Sequence, residues 1–232
     1  MSQPTQLPEV IRDFQRVSPE IVAQAAQYPS SILADVAGRR GALHGRITPL
    51  ARTMKFAGPA LTVEVRPGDN LMIHAAMAIA KPGDVILVDG KGDQTSALMG
   101  EIMSHQCMAI GVVAVVLDGA ARDAEGICEM GFNMYSVGTN PNGPTKFVPG
   151  RLNHPISIGG VTVHPGDLVV GDGDGVTVIE REKAAAMLPL AAQKVAAETK
   201  RIAEIKARKA LAPTWLNAAL VAAGVIKEGE TL

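Results

Sequence analysis

The stretch GEIMSHQCMAIGVVAVVLDGAARD, from Gly100 to Asp123, constrains the fold more than any other part of the chain. Its middle, residues 109–117, is apolar and rich in valine, which reads as a strand buried on both faces. The run ends in Asp118-Gly119-Ala120-Ala121-Arg122-Asp123, read as a loop with a cation and two anions side by side. Open α/β sheets keep their ligands just past the carboxyl ends of such strands. The loop is therefore the first candidate for a site.

The rest of the chain supplies enough apolar material to enclose such a strand. Of 232 residues 47% are hydrophobic, which suits one domain with appendages. Only 3% are aromatic, so Val, Ile, Leu, Ala and Met must build the core. A formal net charge of −1 leaves no basic excess to hold a phosphate backbone, which argues against a nucleic-acid partner. Cys107 and Cys128 fit no zinc spacing and no secreted disulfide scaffold; free thiols in a reducing cytoplasm are expected. The first ten residues lack a basic stretch followed by an apolar one, so no signal peptide is expected. No apolar run approaches about 18 residues, so no membrane span is expected either.

Taken in order, residues 1–10 read as a loose arm and 11–27 as helix, with Ser18-Pro19-Glu20 marking a helix start. A second helix spans 30–38, capped by Ser30 or Ser31, with Asp35 as a surface charge. Residues 56–65 read as a strand after a Gly-Pro turn, 69–80 as a helix capped by Asp69 or Asn70, and 85–89 as a second buried strand. A helix is expected over 95–108, the third strand over 109–117, and a short helix over 124–130 ended by Gly131. Residues 132–137 read as a strand and 139–155 as a long loop. Two Pro-Gly-Asp turns, at 82–84 and 165–167, precede strands. Asp172-Gly173-Asp174-Gly175 looks like a calcium loop but lacks the later glutamate, so it reads as a hairpin. Residues 180–210 have the composition of a long helix bent or broken at Pro189, and 215–225 form another. An Ala-rich helix of this kind often lies on a neighbouring subunit. The domain reading is a single α/β unit over 1–180 and a helical extension over 181–232.

Two features carry chemistry. Arg122 offers forked donors suited to a carboxylate, and Asp123 beside it suits a hard cation such as Mg²⁺ or Mn²⁺. The same pair also fits a surface ion pair, or an aspartate capping the helix at 124. Gly100-Glu101-Ile102-Met103 could open a helix whose backbone N–H groups face an anion. Were the helix to start at Thr95 or Ser96, Gly100 would be a packing glycine inside it. The five histidines form no zinc pair, and neither a nucleophile elbow nor a phosphate loop occurs.

Gly58-Pro59-Ala60-Leu61-Thr62-Val63, Pro82-Gly83-Asp84-Val85, Gly100-Glu101 and Gly119-Ala120-Ala121-Arg122-Asp123 together resemble the 4-hydroxy-4-methyl-2-oxoglutarate / 4-carboxy-4-hydroxy-2-oxoadipate aldolases. Those enzymes share a fold with the regulator-of-ribonuclease-activity-A proteins. The likeness covers residues 30–180. It implies a β/β/α swivelling-type layered α/β fold with a long C-terminal helix, assembled as a homotrimer or homohexamer. It also implies a divalent-metal (Mg²⁺ or Mn²⁺) pyruvate aldolase acting on small 2-oxo acids, with oxaloacetate decarboxylase activity. On that resemblance Asp123 ligates the metal and Arg122 binds substrate oxygens. Gly100, Glu101, Ile102 and Met103 supply backbone donors to the pyruvoyl carboxylate. The family's Gly-Asp-Leu-Leu turn here has glutamate for aspartate, so the water it orients can differ. A metal-bound water, or one held by Glu101, would take the substrate's hydroxyl proton and return it to the enolate. Some members also draw a glutamate from a neighbour's C-terminal helix, and Glu198 is taken as the candidate for it. The rival implied by the same likeness is a regulator that binds a ribonuclease through protein contacts; residues 181–210 favour the aldolase. The dinucleotide-type glycine loop that a methyltransferase would need is missing.

Overall fold

The computed structural model describes residues 9–209 and 211–232. Most of the expected N-terminal arm and the last residue of the expected long helix, Ala210, lie outside the described residues. The chain forms two compact units, one ending at Ala191 and one spanning Ala192–Leu232. The strands are β1 (Thr48–Pro49), β2 (Phe56–Glu64), β3 (Val85–Met99), β4 (Ala114–Ala121), β5 (Asn133–Ser136), β6 (Gly138–Thr139), β7 (Arg151–Leu152), β8 (Ile156–Ile158), β9 (Val161–Val163), β10 (Leu168–Asp172) and β11 (Gly175–Ile179). The helices are α1 (Pro19–Ala25), α2 (Ser30–Val36), α3 (Leu71–Ile79), α4 (Glu101–Ile110), α5 (Ala124–Glu129), α6 (Arg181–Lys206) and α7 (Leu216–Ala222). None of the described helices is long and apolar enough to cross a membrane.

The main sheet runs β1-β5-β4-β3-β2-β10-β11, with β6 on β4 and β7 on β2; β8 and β9 form a separate hairpin. The centre, β2 through β5, is parallel, and each parallel step is bridged by a helix: α3, α4 and α5. The buried strands divide their side chains by the two-residue period. Ile86, Val88, Val115 and Leu117 pack with Ile73, Met77, Met103, Cys107 and Ile127 of the helices. Val85, Leu87, Ala114 and Val116 face the other way, onto Ile158, Val163, Val169 and Val178. Burial on both faces, expected for the third strand, holds for β4 and for residues 85–90 of β3. Each such aliphatic side chain contributes roughly 1.5–3 kcal/mol. Cys107 sits in the helix-side core, where burial pushes its thiol up to about 12; both cysteines are free.

Several boundaries differ from the sequence reading, each for a local reason. Residues 11–17 are not helical. Their backbone bonds reach elsewhere, Ile11 N–H to Leu152 O and Val17 N–H to Gly166 O, while the Arg16 guanidinium grips buried Asp84 at 2.7 and 2.8 Å. Helix α1 does begin at Ser18-Pro19, as expected. Neither Ser30 nor Ser31 caps α2: the cap position is Pro29, and Ser30 donates its N–H and hydroxyl to Asp172, both at 2.7 Å. Asn70 holds the cap position of α3 without a side-chain cap bond. Strand β4 begins only at Ala114, because α4 runs to Ile110 and stops on Gly111 at φ 92°, a left-handed helix end that glycine favours. Helix α6 continues through Pro189 with no break. Its Ala184, Leu188 and Ala191 are buried at the spacing of one helix face, which anchors the segment. Asp172 pairs with Gly175 across a hairpin turn, as read.

Candidate functional site

The site is created by an excursion of β3. From Val85 to Val88 it pairs evenly with Ala114 to Leu117. Asp93 then lies opposite Gly119, Ala97 opposite Ala120, and Met99 opposite Ala121, so β3 makes a long detour over few residues of its neighbour. The detour ends with Met99 beside Ala121, and the Arg122 N–H donates to Met99 O at 3.0 Å. Two adjacent parallel strands therefore finish together, one feeding Gly100 into α4 and the other feeding Arg122 and Asp123 into α5. That is the crevice where such sheets bind ligands.

Residues 95–99, expected to be helical, belong to β3, so Gly100 is the N-cap of α4 and not a packing glycine inside a helix. Its missing side chain is what lets the pair approach. A methyl added there would collide with Asp123 Oδ2 and lie 2.9 Å from Arg122 Cγ and 3.1 Å from Arg122 Nε. Asp123 does not cap α5 with its side chain, although it holds the N-cap position. Its Oδ2 instead accepts the Glu101 N–H at 3.1 Å, at the start of α4. It does so from the left-handed region, φ 56° and ψ 39°, which aspartate tolerates better than most residues but still at a cost. Arg122 Nε stands 3.5 Å from Asp123 Oδ2. With side chains 41% and 42% exposed, that ion pair contributes under about 1 kcal/mol and is no reason for the arrangement.

The remaining sequence candidates separate. Glu101 turns its carboxylate across α5, where a methyl on Gly126 would lie 2.8 Å from Oε2, and it faces His105 at 3.7 Å. The Ile102 side chain is exposed and that of Met103 is buried, so this turn offers its backbone. The Ile102 and Met103 amides, in the first turn, have no intrahelical acceptor. Asp118, read as the second anion of the loop, belongs to β4. It is buried and held by Arg46 through three contacts of 2.7–3.1 Å and by the Gly159 N–H. Glu198 lies in the second unit, paired with Lys194 at 3.2 Å.

Two openings meet at the Arg122–Asp123 pair. One is a cleft of about 600 Å³ walled by Glu101, Gly126, Thr139 and Asn140. The other is a cavity of about 170 Å³ walled by Asn70, His74, Gly100, Met103 and Lys146. Sequence reasoning missed Asn70, His74 and Lys146, and it missed Gly143, which backs the guanidinium: a methyl there would lie 2.9 Å from Arg122 Nη1. A third Pro-Gly-Asp, at 67–69, was the available signal. Buried Asp69 binds the covering loop through Thr145 Oγ1 (2.6 Å) and the N–H groups of Phe147 (2.8 Å) and Val148 (3.2 Å), besides Leu71 N–H (3.0 Å). Burial pushes its carboxyl up, but these bonds outweigh it and hold the pKa below the ordinary carboxylate value. The contribution is thus complete above the ordinary value and is lost as pH falls through the lowered one. Asp69→Ala should cost about 2–4 kcal/mol and free the loop. Chemical denaturation measures the cost, and a loss under about 0.5 kcal/mol would contradict the anchoring role.

Among the described residues no three His, Cys, Asp or Glu side chains converge as a metal cage. The cleft carboxylates of Asp123 and Glu101 are oxygen donors. One carboxylate plus water and substrate oxygens suits Mg²⁺ or Mn²⁺, which retain water, and does not suit zinc. The residues present therefore fit a hard cation held by Asp123. Gly100→Ala tests how finely the pair is placed. The backbone there is extended, so the substitution strains nothing and acts only by displacing Asp123 and Arg122. We expect a loss of about a hundredfold in any activity of the site with an unchanged melting temperature; full activity would mean that the close approach is irrelevant.

A family model described as RraA-like, Aldolase/RraA, matches residues 20–178. A protein of Halalkalibacterium halodurans named "Putative 4-hydroxy-4-methyl-2-oxoglutarate aldolase" is 38% identical over 182 residues, 78% of this chain and 87% of that protein. Streptomyces coelicolor RraAS2, titled an unusual member of the RNase ES inhibitor RraA protein family, has a solved structure that matches at 27% identity. Its TM-score is 0.75, over 82% of this chain and 98% of that one. The RNA-processing inhibitor RraA from Thermus thermophilis matches at 26% identity and a TM-score of 0.60, over 65% and 92%. These likenesses bear out the expected fold class. The chain belongs to the RraA-like (Aldolase/RraA) family.

Proposed function

We propose that the protein is a divalent-metal-dependent lyase. It cleaves 4-hydroxy-2-oxo acids such as 4-hydroxy-4-methyl-2-oxoglutarate to pyruvate and a second 2-oxo acid, and it decarboxylates oxaloacetate. The observation that carries this reading is the meeting of Arg122, Asp123 and the first turn of α4 at one crevice. The name of the H. halodurans relative, an aldolase, supports it.

Both reactions break a carbon–carbon bond beside a 2-oxo acid and leave the enolate of pyruvate. A Mg²⁺ or Mn²⁺ ion held by Asp123 would supply positive charge for the keto and carboxylate oxygens as the bond breaks. The chain does the rest. The amides of Glu101, Ile102 and Met103 receive the substrate carboxylate at the positive end of α4. The Glu101 amide, which donates to Asp123 Oδ2, would share its hydrogen between that oxygen and the substrate. Arg122 holds the keto oxygen through its planar donors. Glu101 holds a water that takes the 4-hydroxyl proton, so that the electrons of the C3–C4 bond pass to the keto group and C4 becomes a carbonyl. Glu198 from a neighbouring copy completes the water's surroundings in a trimer or hexamer. The working location is the cytoplasm.

The test is pyruvate release from 4-hydroxy-4-methyl-2-oxoglutarate and from oxaloacetate, with Mg²⁺ or Mn²⁺ and with EDTA. Activity should fall by at least about a hundredfold on chelation and return with either ion. Activity indifferent to EDTA removes the cation from the reading. The RraA titles of the solved relatives favour a second reading, a protein that binds a ribonuclease. Capture of a ribonuclease by a protein inert in both assays would select it.

A further inference from the structure

The small cavity on the α3 side contains an unsolved balance of hydrogen bonds. Asn70 is 2% exposed. Its Nδ2 donates to Leu98 O at 2.9 Å and approaches Met103 Sδ at 3.4 Å. That pairing fixes the amide, because a flipped group would set its oxygen against the Leu98 carbonyl. Asn70 Oδ1 is thereby left buried with no partner. His74 stands one helical turn along the same face of α3, and its Nε2 is also buried with no partner. Both residues wall the cavity that Gly100, Arg122 and Asp123 also line. Burial, and secondarily the charge of Lys146 at the cavity wall, lower the His74 pKa, which keeps the ring neutral at neutral pH.

Orphaned polar atoms around a space of about 170 Å³ are satisfied by water, since one water occupies about 30 Å³ and needs two or more polar partners. Asn70 Oδ1 does not fit an anionic part of the substrate. An amide oxygen is only an acceptor, so what it binds must bring a hydrogen. Water satisfies both atoms at once, and it stands beside the place where the substrate's keto acid would lie.

We propose that a water held between Asn70 Oδ1 and His74 Nε2 delivers the proton that converts the enolate to pyruvate. This rests on the lyase reading above and divides its proton transfers between two sides of the site. On the cleft side, the water held by Glu101 takes the 4-hydroxyl proton and passes it to solvent. On the α3 side, the held water donates one hydrogen to Asn70 Oδ1, accepts a bond from the neutral His74 ring through Nε2–H, and gives its other proton to C3. The enolate electron pair forms the new C–H bond, and the hydroxide left behind is neutralised by a proton from solvent. One proton leaves and one enters, so the cleavage is balanced. Asn70 and His74 are positioning residues, because they act through the water.

Exchange of pyruvate methyl protons in D₂O isolates the C3 step, whereas CO₂ release from oxaloacetate in a single turnover, with enzyme in excess, reports bond breaking. With the full-length protein and Mg²⁺ or Mn²⁺, His74→Leu and Asn70→Ala should each slow methyl exchange by at least about thirtyfold. CO₂ release should change by less than about threefold, with circular dichroism unaltered. His74→Leu is the safer variant, because Asn70→Ala also removes the bond to Leu98 O. Exchange at the wild-type rate in His74→Leu overturns the proposal, as does an equal fall of exchange and CO₂ release in both variants. A wild-type protein that catalyses neither process overturns the lyase reading and this inference with it.

Discussion

Asp123→Asn is expected to lower pyruvate release by at least about a thousandfold while the protein melts within a few degrees of wild type. The asparagine keeps the shape of the side chain, tolerates the left-handed backbone at φ 56°, and can still accept the Glu101 N–H through its amide oxygen. What it loses is one negative charge. Among the described residues no three His, Cys, Asp or Glu side chains converge on one point, so Asp123 has no full set of protein ligands to share its task. An effect this large from so small a structural change separates a metal-holding carboxylate from a helix cap or a surface ion pair. Losing either of those costs only about 0.5–2 kcal/mol of stability and no chemistry. Isothermal titration with Mn²⁺ gives an independent readout: the wild type should bind and Asp123→Asn should not. Unimpaired pyruvate release by the variant would end the proposal that this residue holds the ion.

The parts of this site that could be read from the sequence are those set by local chemistry. Arg122-Asp123 after a buried strand depends on neighbours a few residues away. The two-faced burial of β4 was visible for the same reason, since an unbroken valine-rich run leaves no polar face. What stayed hidden depended on distant partners. The segment 95–99 carries Thr, Ser, Ala, Leu and Met, which suit a helix or a strand. Pairing with β4 across the bulged register decided for the strand, and that decision moved the start of α4 to Gly100. Asp118 looked like part of the charged loop until Arg46, 72 positions away, claimed it. Asp69 looked like a helix cap, yet most of its bonds hold a loop some 75 positions on. In the last two cases a buried carboxylate took its role from a segment that sequence spacing does not bring near.

Arg122→Lys is the other large expected effect, a fall in kcat/KM of about a hundred- to a thousandfold, or about 2.7–4 kcal/mol of transition-state stabilisation. The reason lies in the slot that the guanidinium occupies. Gly100 lies beneath Nε and Gly143 behind Nη1, each so close that a single methyl would meet the side chain. Glycine at both positions leaves room for the guanidinium that a larger residue would take. A lysine ammonium entering that space is round, strongly hydrated and unable to direct two parallel donors at one face of a keto acid. The charge survives the substitution, so retained activity would show that charge alone suffices, and the planar fork would lose its role. The effect should fall on kcat more than on KM, because the oxygen Arg122 holds gains its charge only as the carbon–carbon bond breaks. Arg122→Ala should be weaker still, and added guanidinium should restore part of its rate by refilling the slot between Gly100 and Gly143. An Arg122→Lys protein with wild-type kcat/KM toward oxaloacetate would remove this residue from the substrate's surroundings, leaving the two glycines without a chemical reason to be there.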